Sequence, residues 1–193
     1  MTNPRSAKGG PGLIKWGNFQ INHHAQTSTF VLMESKITFQ FISEPTDVNF
    51  GGKVHGGVVM KWIDQTAYTC ARNWAENYCV TVYVGGIRFF KPIGIGSVVK
   101  IDAYVIYTGR TSIHIAVDVY GRSFEARNFE KKTHCVIVFV SVDDAGKPIP
   151  VKPWTTDNPR EIKLAEYALR LKELRSQIND EMAPFLESTV DDR

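Results

Sequence analysis

The feature that most constrains this chain is one long helical stretch followed by four strand-like runs with short breaks between them. From about Gly57 to Glu76, apolar side chains recur every three or four residues, as in an amphipathic helix. A strand-like alternation begins before it, at Lys36. Consecutive strands joined by short turns pair antiparallel, and the single helix must cover one face of their sheet. The order therefore predicts an α+β fold with an antiparallel sheet of five or more strands.

The four runs after the helix cover Val80–Phe90, Val98–Tyr107, Ser112–Tyr120 and His134–Val142. The last run is nearly apolar on both faces, so we expect it to be central in the sheet or to be covered by a partner subunit. A second, charge-rich helix is predicted from Glu161 to Gln177, with Asn158 as its N-cap and Pro159 at its first position.

Three parts are expected along the chain. Residues 1–34 are rich in Gly, Pro and polar side chains and predict a flexible N-terminal extension. Residues 35–153 form the predicted α+β domain, and residues 154–193 a C-terminal helical extension. No apolar run reaches the roughly 18 residues that a membrane helix needs, and we expect no targeting segment.

Charge and cysteine content exclude several functional classes. The net charge of +3, from 23 basic and 20 acidic side chains, is too balanced for an electrostatic nucleic-acid binder. The three cysteines include no Cys-x-x-Cys pair, which is typical of reduced thiols in a cytoplasmic protein. His23 and His24 lack a third ligand nearby, so no metal site is predicted.

The segment most informative about chemistry is the loop that enters the long helix, which reads DVNFGGKVHGGVVMKWID from Asp47 to Asp64. Gly56 and Gly57 let a ligand approach the backbone, where outward N–H groups can stabilise a carbonyl oxygen that gains negative charge. Asp64 projects from the same face two turns later, among apolar side chains, so hydrogen bonds or a function must offset its burial. A structural, hydrogen-bonded aspartate behind a capping loop is the alternative, and for His55 we expect a role in loop packing.

The spacing within this segment resembles the active-site pattern of hotdog-fold acyl-CoA thioesterases, in the branch of bacterial YciA-type enzymes and vertebrate brain acyl-CoA hydrolases. The matched positions are Asp47, Asn49, Gly52, Gly56, Gly57, Met60 and Asp64. Further matches follow in order at Val80–Val82, Phe89–Gly96, Gly109–Ile113 and Pro148–Val151. The resemblance covers about Lys36 to Val151. The chain departs from the pattern at Gly85-Gly86 and at Ser97.

This resemblance implies hydrolysis of an acyl-CoA, expected to be a medium- to long-chain fatty acyl-CoA, to a free acid and CoA, with no further cofactor. Asp64 would be the general base or the nucleophile, and Asn49 would position the water or the thioester. The backbone N–H of Gly56 or Gly57 would polarise the carbonyl. The expected contacts to CoA are Arg110, Thr111, Ser112, Lys91 and Arg88, with Lys53 as a further candidate.

The resemblance also implies a homodimer formed by edge-to-edge sheets, which assembles further into a trimer of dimers. Asn49 and Asp64 of one chain would then serve different active sites. The alternative function is a non-hydrolytic hotdog protein that binds or senses acyl-CoA. A hotdog dehydratase is disfavoured, because that class generally relies on a histidine paired with an acid.

Overall fold

The computed structural model describes residues 35–187 of the chain. The predicted N-terminal extension of residues 1–34, with its pair His23 and His24, lies outside these residues. The described elements run in the order β1 (Lys36–Ile42), a 3-10 turn (Pro45–Asp47), α1 (Gly56–Ala75), β2 (Cys79–Phe89), β3 (Val98–Thr108), β4 (Ser112–Arg122), β5 (Glu130–Ser141) and α2 (Pro159–Glu187).

The five strands form one antiparallel sheet in the order β1-β3-β4-β5-β2. This confirms the predicted α+β class and the predicted hotdog arrangement, in which a curved sheet packs on one long helix. β2, which follows α1 in the chain, forms an edge of the sheet, while β5 lies beside it in the interior. The most apolar predicted strand, β5, is therefore an interior strand next to the edge, and the middle strand is β4.

The main core lies between α1 and the inner face of the sheet. The buried side chains of α1 are Val59, Ile63, Thr66, Ala67, Cys70, Ala71 and Trp74, which recur at the predicted helical spacing. They pack against alternate residues of the strands, such as Ile101, Val117 and Phe139, each fully buried. Because side chains alternate between the two faces along each strand, these residues form the single face of the sheet that packs against α1.

α2 covers the outer face of the same sheet. Its residues Leu164, Tyr167, Ala168 and Leu171 pack on a smaller cluster formed by Ile106, Ala116 and Val136. Asn158 caps this helix as predicted, because the Arg160 N–H donates to Asn158 Oδ1 at 3.0 Å. Neither α1 nor α2 is both long and apolar enough to cross a membrane.

Two predicted boundaries were wrong by four or more residues. β5 begins at Glu130 rather than His134, because the charged residues Glu130, Lys131 and Lys132 hide the strand pattern at its exposed start. α2 continues to Glu187, ten residues past its predicted end at Gln177. Its last turns carry Ile178 and Met182 at helical spacing, but the surrounding polar side chains dilute that signal.

The departure at Gly85-Gly86 has a structural cause in β2. The pairing of β2 with β5 shifts register between Gly85 and Arg88, which marks a β-bulge. Gly86 has a φ of +59°, and a Cβ at Gly85 would lie 2.1 Å from the ring of Tyr83. Glycine at these two positions therefore allows the edge strand to bend.

Candidate active site

The N-terminus of α1 is capped by His55. Its Nδ1 accepts a hydrogen bond from the Gly57 N–H at 3.0 Å, and its carbonyl accepts from the N–H groups of Val58 and Val59. The Gly57 N–H is thus engaged in the cap, and of the two predicted donors, Gly56 or Gly57, Gly56 is left as the candidate. A Cβ at Gly57 would lie only 3.2 Å from His55 Nδ1, so glycine makes room for the cap. Sequence reasoning had favoured loop packing over catalysis for His55 and had not predicted the cap.

Asn49 is held by the loop that precedes α1. Its Oδ1 accepts from the backbone N–H groups of Gly51 at 2.9 Å and Lys53 at 3.2 Å. The backbone N–H of Asn49 donates to the Lys53 carbonyl at 2.7 Å. Because these bonds occupy the amide oxygen, the side-chain NH₂ is the group that can donate to a water or a carbonyl.

Asp47, the first residue of the matched pattern, has a structural task. Its carboxylate accepts from the Glu44 N–H at 2.9 Å and so caps the 3-10 turn. Its carbonyl accepts from the His55 N–H at 2.8 Å, which links the start of the loop to the start of α1. Asp47 therefore fixes the loop on which Asn49 stands.

Asp64 lies half-buried in the third turn of α1 and meets the edge strand. The hydroxyl of Thr81, on β2, donates to Asp64 Oδ1 at 3.0 Å. One carboxylate oxygen is thereby oriented, while the other can face a substrate. Sequence reasoning placed Thr81 in a matched stretch but gave it no role; its only signal was a hydroxyl among the valines of that strand.

One chain does not bring Gly56 and Asp64 to a common point. The two residues are eight positions apart on α1, which corresponds to about 12 Å along the helix axis. A reacting carbonyl must lie within about 3–3.5 Å of both its oxyanion donor and its attacking group. The candidate donor Gly56 and the Asp64 carboxylate of a single chain are therefore poorly placed to act together on one thioester.

A cavity of about 310 Å³ opens beside Gly56. Its walls are formed by Val54, Gly56, Val59, Phe89, Phe90, Lys91, Pro92, Ile93 and Thr133. Lys91 forms an ion pair with Glu130, which also binds Lys132 at 2.6 Å. The hydrogen bonds from Lys132 and Lys91 lower the pKa of Glu130 to about 2. The Arg88 guanidinium lies 5.6 Å from the centroid of the Phe90 ring, at the same end of the sheet.

The other predicted CoA contacts lie at the opposite end of the sheet. Arg110, Thr111 and Ser112 form the β3–β4 turn, where the Arg110 and Thr111 carbonyls each accept a backbone hydrogen bond at 3.0 Å. On β4, Ser112 is seven residues from Val119. Val119 pairs with Thr133 of β5, and Thr133 pairs with Phe89 of β2, so Phe89 lies level with Val119 in the sheet. These seven residues span about 23 Å of strand. Lys91 and Arg88 are therefore far from the Arg110 turn within one chain.

Comparison with known proteins places these residues in a family. Residues 51–123 match the model of the thioesterase superfamily. The acyl-CoA thioester hydrolase YciA of Salmonella typhimurium is 30% identical over 121 residues, which are 61% of this chain and 91% of that protein. The chain belongs to the acyl-CoA thioester hydrolase family.

Solved structures of this family share the fold. An acyl-CoA hydrolase of Staphylococcus aureus, solved with butyryl-CoA and CoA, superimposes with a TM-score of 0.76 at 26% identity, covering 82% of this chain and 96% of that one. A hexameric hotdog-fold thioesterase of Campylobacter jejuni superimposes with a TM-score of 0.56 at 26% identity, covering 59% and 88%.

The Staphylococcus aureus hydrolase has also been solved as three alanine variants, of an asparagine, an aspartate and a threonine. The asparagine and the aspartate are 15 residues apart in that enzyme, and the aspartate and the threonine are 17 apart. Asn49, Asp64 and Thr81 have the same two spacings in this chain. The hydrogen-bonded pair Asp64–Thr81 thus corresponds in spacing to positions that were varied in a relative.

Proposed function

We propose that this protein hydrolyses acyl-CoA thioesters to a free acid and CoA, with Asp64 as the general base or the nucleophile. The observation that carries this assignment is the Thr81–Asp64 hydrogen bond of 3.0 Å. It orients a half-buried carboxylate on α1 and leaves its second oxygen for chemistry. The family match and the spacing shared with the Staphylococcus aureus variants support the same residues.

As a general base, Asp64 takes a proton from water while the water oxygen bonds to the thioester carbon, and the C–S bond then breaks to release CoA. As a nucleophile, its free oxygen attacks that carbon, and water later hydrolyses the mixed anhydride. In both routes the Gly56 N–H, at the positive end of α1, stabilises the oxygen that gains negative charge. The Asn49 NH₂ orients the water or the carbonyl.

Each site is proposed to combine two copies of the chain. β2 is the edge strand that carries both Thr81 and Phe89, near its two ends. If β2 pairs antiparallel with β2 of a second copy, the Thr81 end of one strand lies beside the Phe89 end of the other. Asp64 then faces Gly56 of the partner subunit, which resolves the separation of about 12 Å within one α1.

The same pairing unites the two groups of candidate CoA contacts. It brings the Arg110 turn of one copy to the side of the sheet where Lys91 and Arg88 of the partner subunit lie. Thr111 and Ser112 supply hydroxyl donors at that turn, and the basic side chains match the phosphates of CoA. We propose a homodimer on this basis, and a trimer of dimers because the Campylobacter jejuni relative is hexameric.

The proposed substrate is a medium- to long-chain fatty acyl-CoA, since the cavity at Gly56 is lined largely by apolar side chains such as Val59, Phe90 and Ile93. No cofactor other than the CoA of the substrate takes part in the proposed reaction. The proposed compartment is the cytoplasm, because all three cysteines are buried and unpaired. Burial raises the pKa of the Cys70 and Cys135 thiols to about 12, so neither is a nucleophile near neutral pH.

The decisive experiment compares wild type with Asp64→Asn, which keeps the shape of the side chain. Released thiol is followed with acyl-CoAs of increasing chain length, and binding of CoA is measured by calorimetry. We expect kcat to fall at least about 100-fold in the variant, while CoA still binds. Failure of the wild type to hydrolyse any chain length, with CoA bound, would instead identify a protein that binds acyl-CoA without hydrolysing it.

A further inference from the structure

Exposed apolar side chains follow one another along the edge strand β2 and at its two ends. Tyr78 precedes the strand and is 59% exposed, Val82 and Val84 lie within it, and Phe89 and Phe90 lie at its end. All five are at least 38% exposed in one chain. Edge strands and apolar rows of this kind are usually covered in stable proteins, so this row marks a surface on which a second copy or a substrate lies.

Tyr78 is held from the inside by two further rings. Its ring centroid lies 6.3 Å from that of Tyr68, with an angle of 62° between the rings, and Tyr68 lies 6.3 Å from Phe139. Phe139 is fully buried in the core between α1 and the sheet. Because edge-to-face aromatic pairs at these distances are favourable, the stack supports Tyr78 from within while its outer side stays open.

The three rings lie next to the proposed catalytic aspartate. Tyr68 is four residues after Asp64 on α1, so both project from the same face of the helix. Phe139 is paired in register with Thr81, whose hydroxyl binds Asp64. Tyr78 is three residues before Thr81, which corresponds to about 10 Å of extended chain. The stack therefore leads from Asp64 toward the start of β2.

In the proposed dimer, this stack meets the cavity of the other copy. Antiparallel pairing of two β2 strands places Thr81 of one copy beside the Phe89 end of the other. Tyr78 lies further in the same direction and so reaches Phe90 of the partner subunit, which lines the cavity of about 310 Å³ beside Gly56. A cavity that is open in one chain thus gains an aromatic wall from the second.

We infer that Tyr78, supported by Tyr68, closes the acyl cavity of the partner subunit and limits the length of the chain that it accepts. The inference rests on the proposed hydrolysis of acyl-CoA at a shared site. The thioester carbon lies between Gly56 of one copy and Asp64 of the other, and the acyl chain enters the apolar cavity beside Gly56. The chain passes Phe90 and ends at the Tyr78 ring, which occupies the space that further methylene groups would fill.

The first test changes the size of this wall in the full-length protein. Tyr78→Ala removes the ring and Tyr78→Trp enlarges it, and kcat/KM is measured for myristoyl-CoA and octanoyl-CoA. Each methylene group that gains an apolar place is worth about fourfold. We expect the ratio of myristoyl-CoA to octanoyl-CoA to rise at least about tenfold in Tyr78→Ala and to fall in Tyr78→Trp. Phe124→Ala removes another exposed ring, from the β4–β5 loop, and should keep the wild-type ratio.

Two results would overturn the inference. One is a wild-type ratio in both Tyr78→Ala and Tyr78→Trp. The other is an equal change with both substrates, which would show that Tyr78 contacts the CoA moiety that they share or supports the dimer. If the wild type binds acyl-CoA without hydrolysing it, the ratio is taken from dissociation constants measured by calorimetry. The chain-length limit is then tested independently of the proposed reaction.

The second test asks which copy supplies the ring. In a mixed dimer of Asn49→Ala and Asp64→Ala chains, the one intact site takes Asp64 from the Asn49→Ala chain, and Tyr78 should come from that same chain. Tyr78→Ala should therefore raise the ratio when it is added to the Asn49→Ala chain and leave the wild-type ratio when it is added to the Asp64→Ala chain. The opposite pattern would place Tyr78 at the cavity of its own chain. A mixed dimer without activity would contradict the shared site and, with it, the supply of Tyr78 by the second copy.

Discussion

The Thr81 hydroxyl donates a hydrogen bond of 3.0 Å to Asp64 Oδ1 and so joins the edge strand β2 to the middle of α1. This contact fixes the direction of the free carboxylate oxygen. It also ties the proposed catalytic group to the strand at which a second copy is expected to pair. Thr81 is a positioning residue in this arrangement.

Removing the Thr81 hydroxyl should slow the reaction and leave the fold intact. Thr81→Val keeps the shape of the side chain but cannot orient Asp64, and we expect kcat to fall about tenfold, the equivalent of one hydrogen bond of 1.4 kcal/mol. Thr81→Ser retains the hydroxyl and should recover most of the activity. Steady-state thiol release measures both variants, and equal rates for valine and serine would contradict the role of the hydroxyl.

Mixing two inactive variants tests whether each site is shared between subunits. Asn49→Ala and Asp64→Ala chains are each expected to be inactive, but a mixed dimer holds one intact site. After denaturation and joint refolding in equal amounts, about a quarter of the wild-type activity should return, because half of the dimers are mixed. A proven mixed dimer without activity would show that each site takes Asn49 and Asp64 from the same chain.

Much of the fold was predictable because its signals are periodic and local. The spacing of Ile63, Ala67 and Trp74 identified the buried face of α1, and alternation within the strands identified the sheet. The strand order was not readable from these patterns, since β1-β3-β4-β5-β2 depends on which edges meet in space. The length of α2 was underestimated because the apolar residues of its second half are exposed. They contribute nothing to the core, so the sequence there lacks the continuous apolar face by which a helix is recognised.

The candidate site was predictable only where its residues follow one another in sequence. Asn49 and Asp64 belong to one continuous pattern, whereas Thr81 reaches Asp64 from a different element. The His55 cap was missed because capping depends on the backbone geometry at Gly56 and Gly57, not on residue type alone. The separation between Lys91 and Arg110 followed only from the strand register.

The His55 cap should contribute measurably to stability. His55→Ala leaves the Gly57 N–H without its acceptor, and we expect a loss of about 1 kcal/mol in the free energy of unfolding. His55→Asn supplies another good capping side chain and should lose much less. Urea denaturation at constant pH measures the difference, and identical curves for alanine and asparagine would show that the cap carries no stability.

Acid should destabilise the protein through His114, which is buried below α2. Burial, with smaller contributions from the Arg175 and Lys172 charges, lowers the pKa of His114 to about 4 from its ordinary 6.5. Below pH 6.5 the His114 imidazole is therefore protonated in the unfolded chain but stays neutral in the folded chain. The free energy of unfolding falls as the pH drops toward 4. From pH 7.5 to 5 this loss is on the order of 2 kcal/mol.

His114→Asn should flatten this pH dependence, whatever its effect on stability at pH 7.5. Tyr107→Phe is the matched control, since the Tyr107 ring lies 5.1 Å from the imidazole and its change leaves His114 in place. Urea denaturation at several pH values measures the slope. An equal slope in wild type and His114→Asn would assign the acid sensitivity to other groups.

Arg110 should act on the nucleotide part of the substrate and not on the chemistry. Arg110→Gln removes a charge from the exposed β3–β4 turn, and we expect the KM for acyl-CoA to rise about tenfold with kcat nearly unchanged, as for one charge-assisted contact to a phosphate. A thioester of the same acyl chain on N-acetylcysteamine has no phosphates, so its kcat/KM should be the same for variant and wild type. Arg170→Gln, at an exposed arginine of α2 that pairs with Glu173, is the control and should leave both substrates unaffected. An equal loss with both substrates would show that Arg110 supports the structure of the turn, because a contact to CoA phosphates acts only on the substrate that carries them.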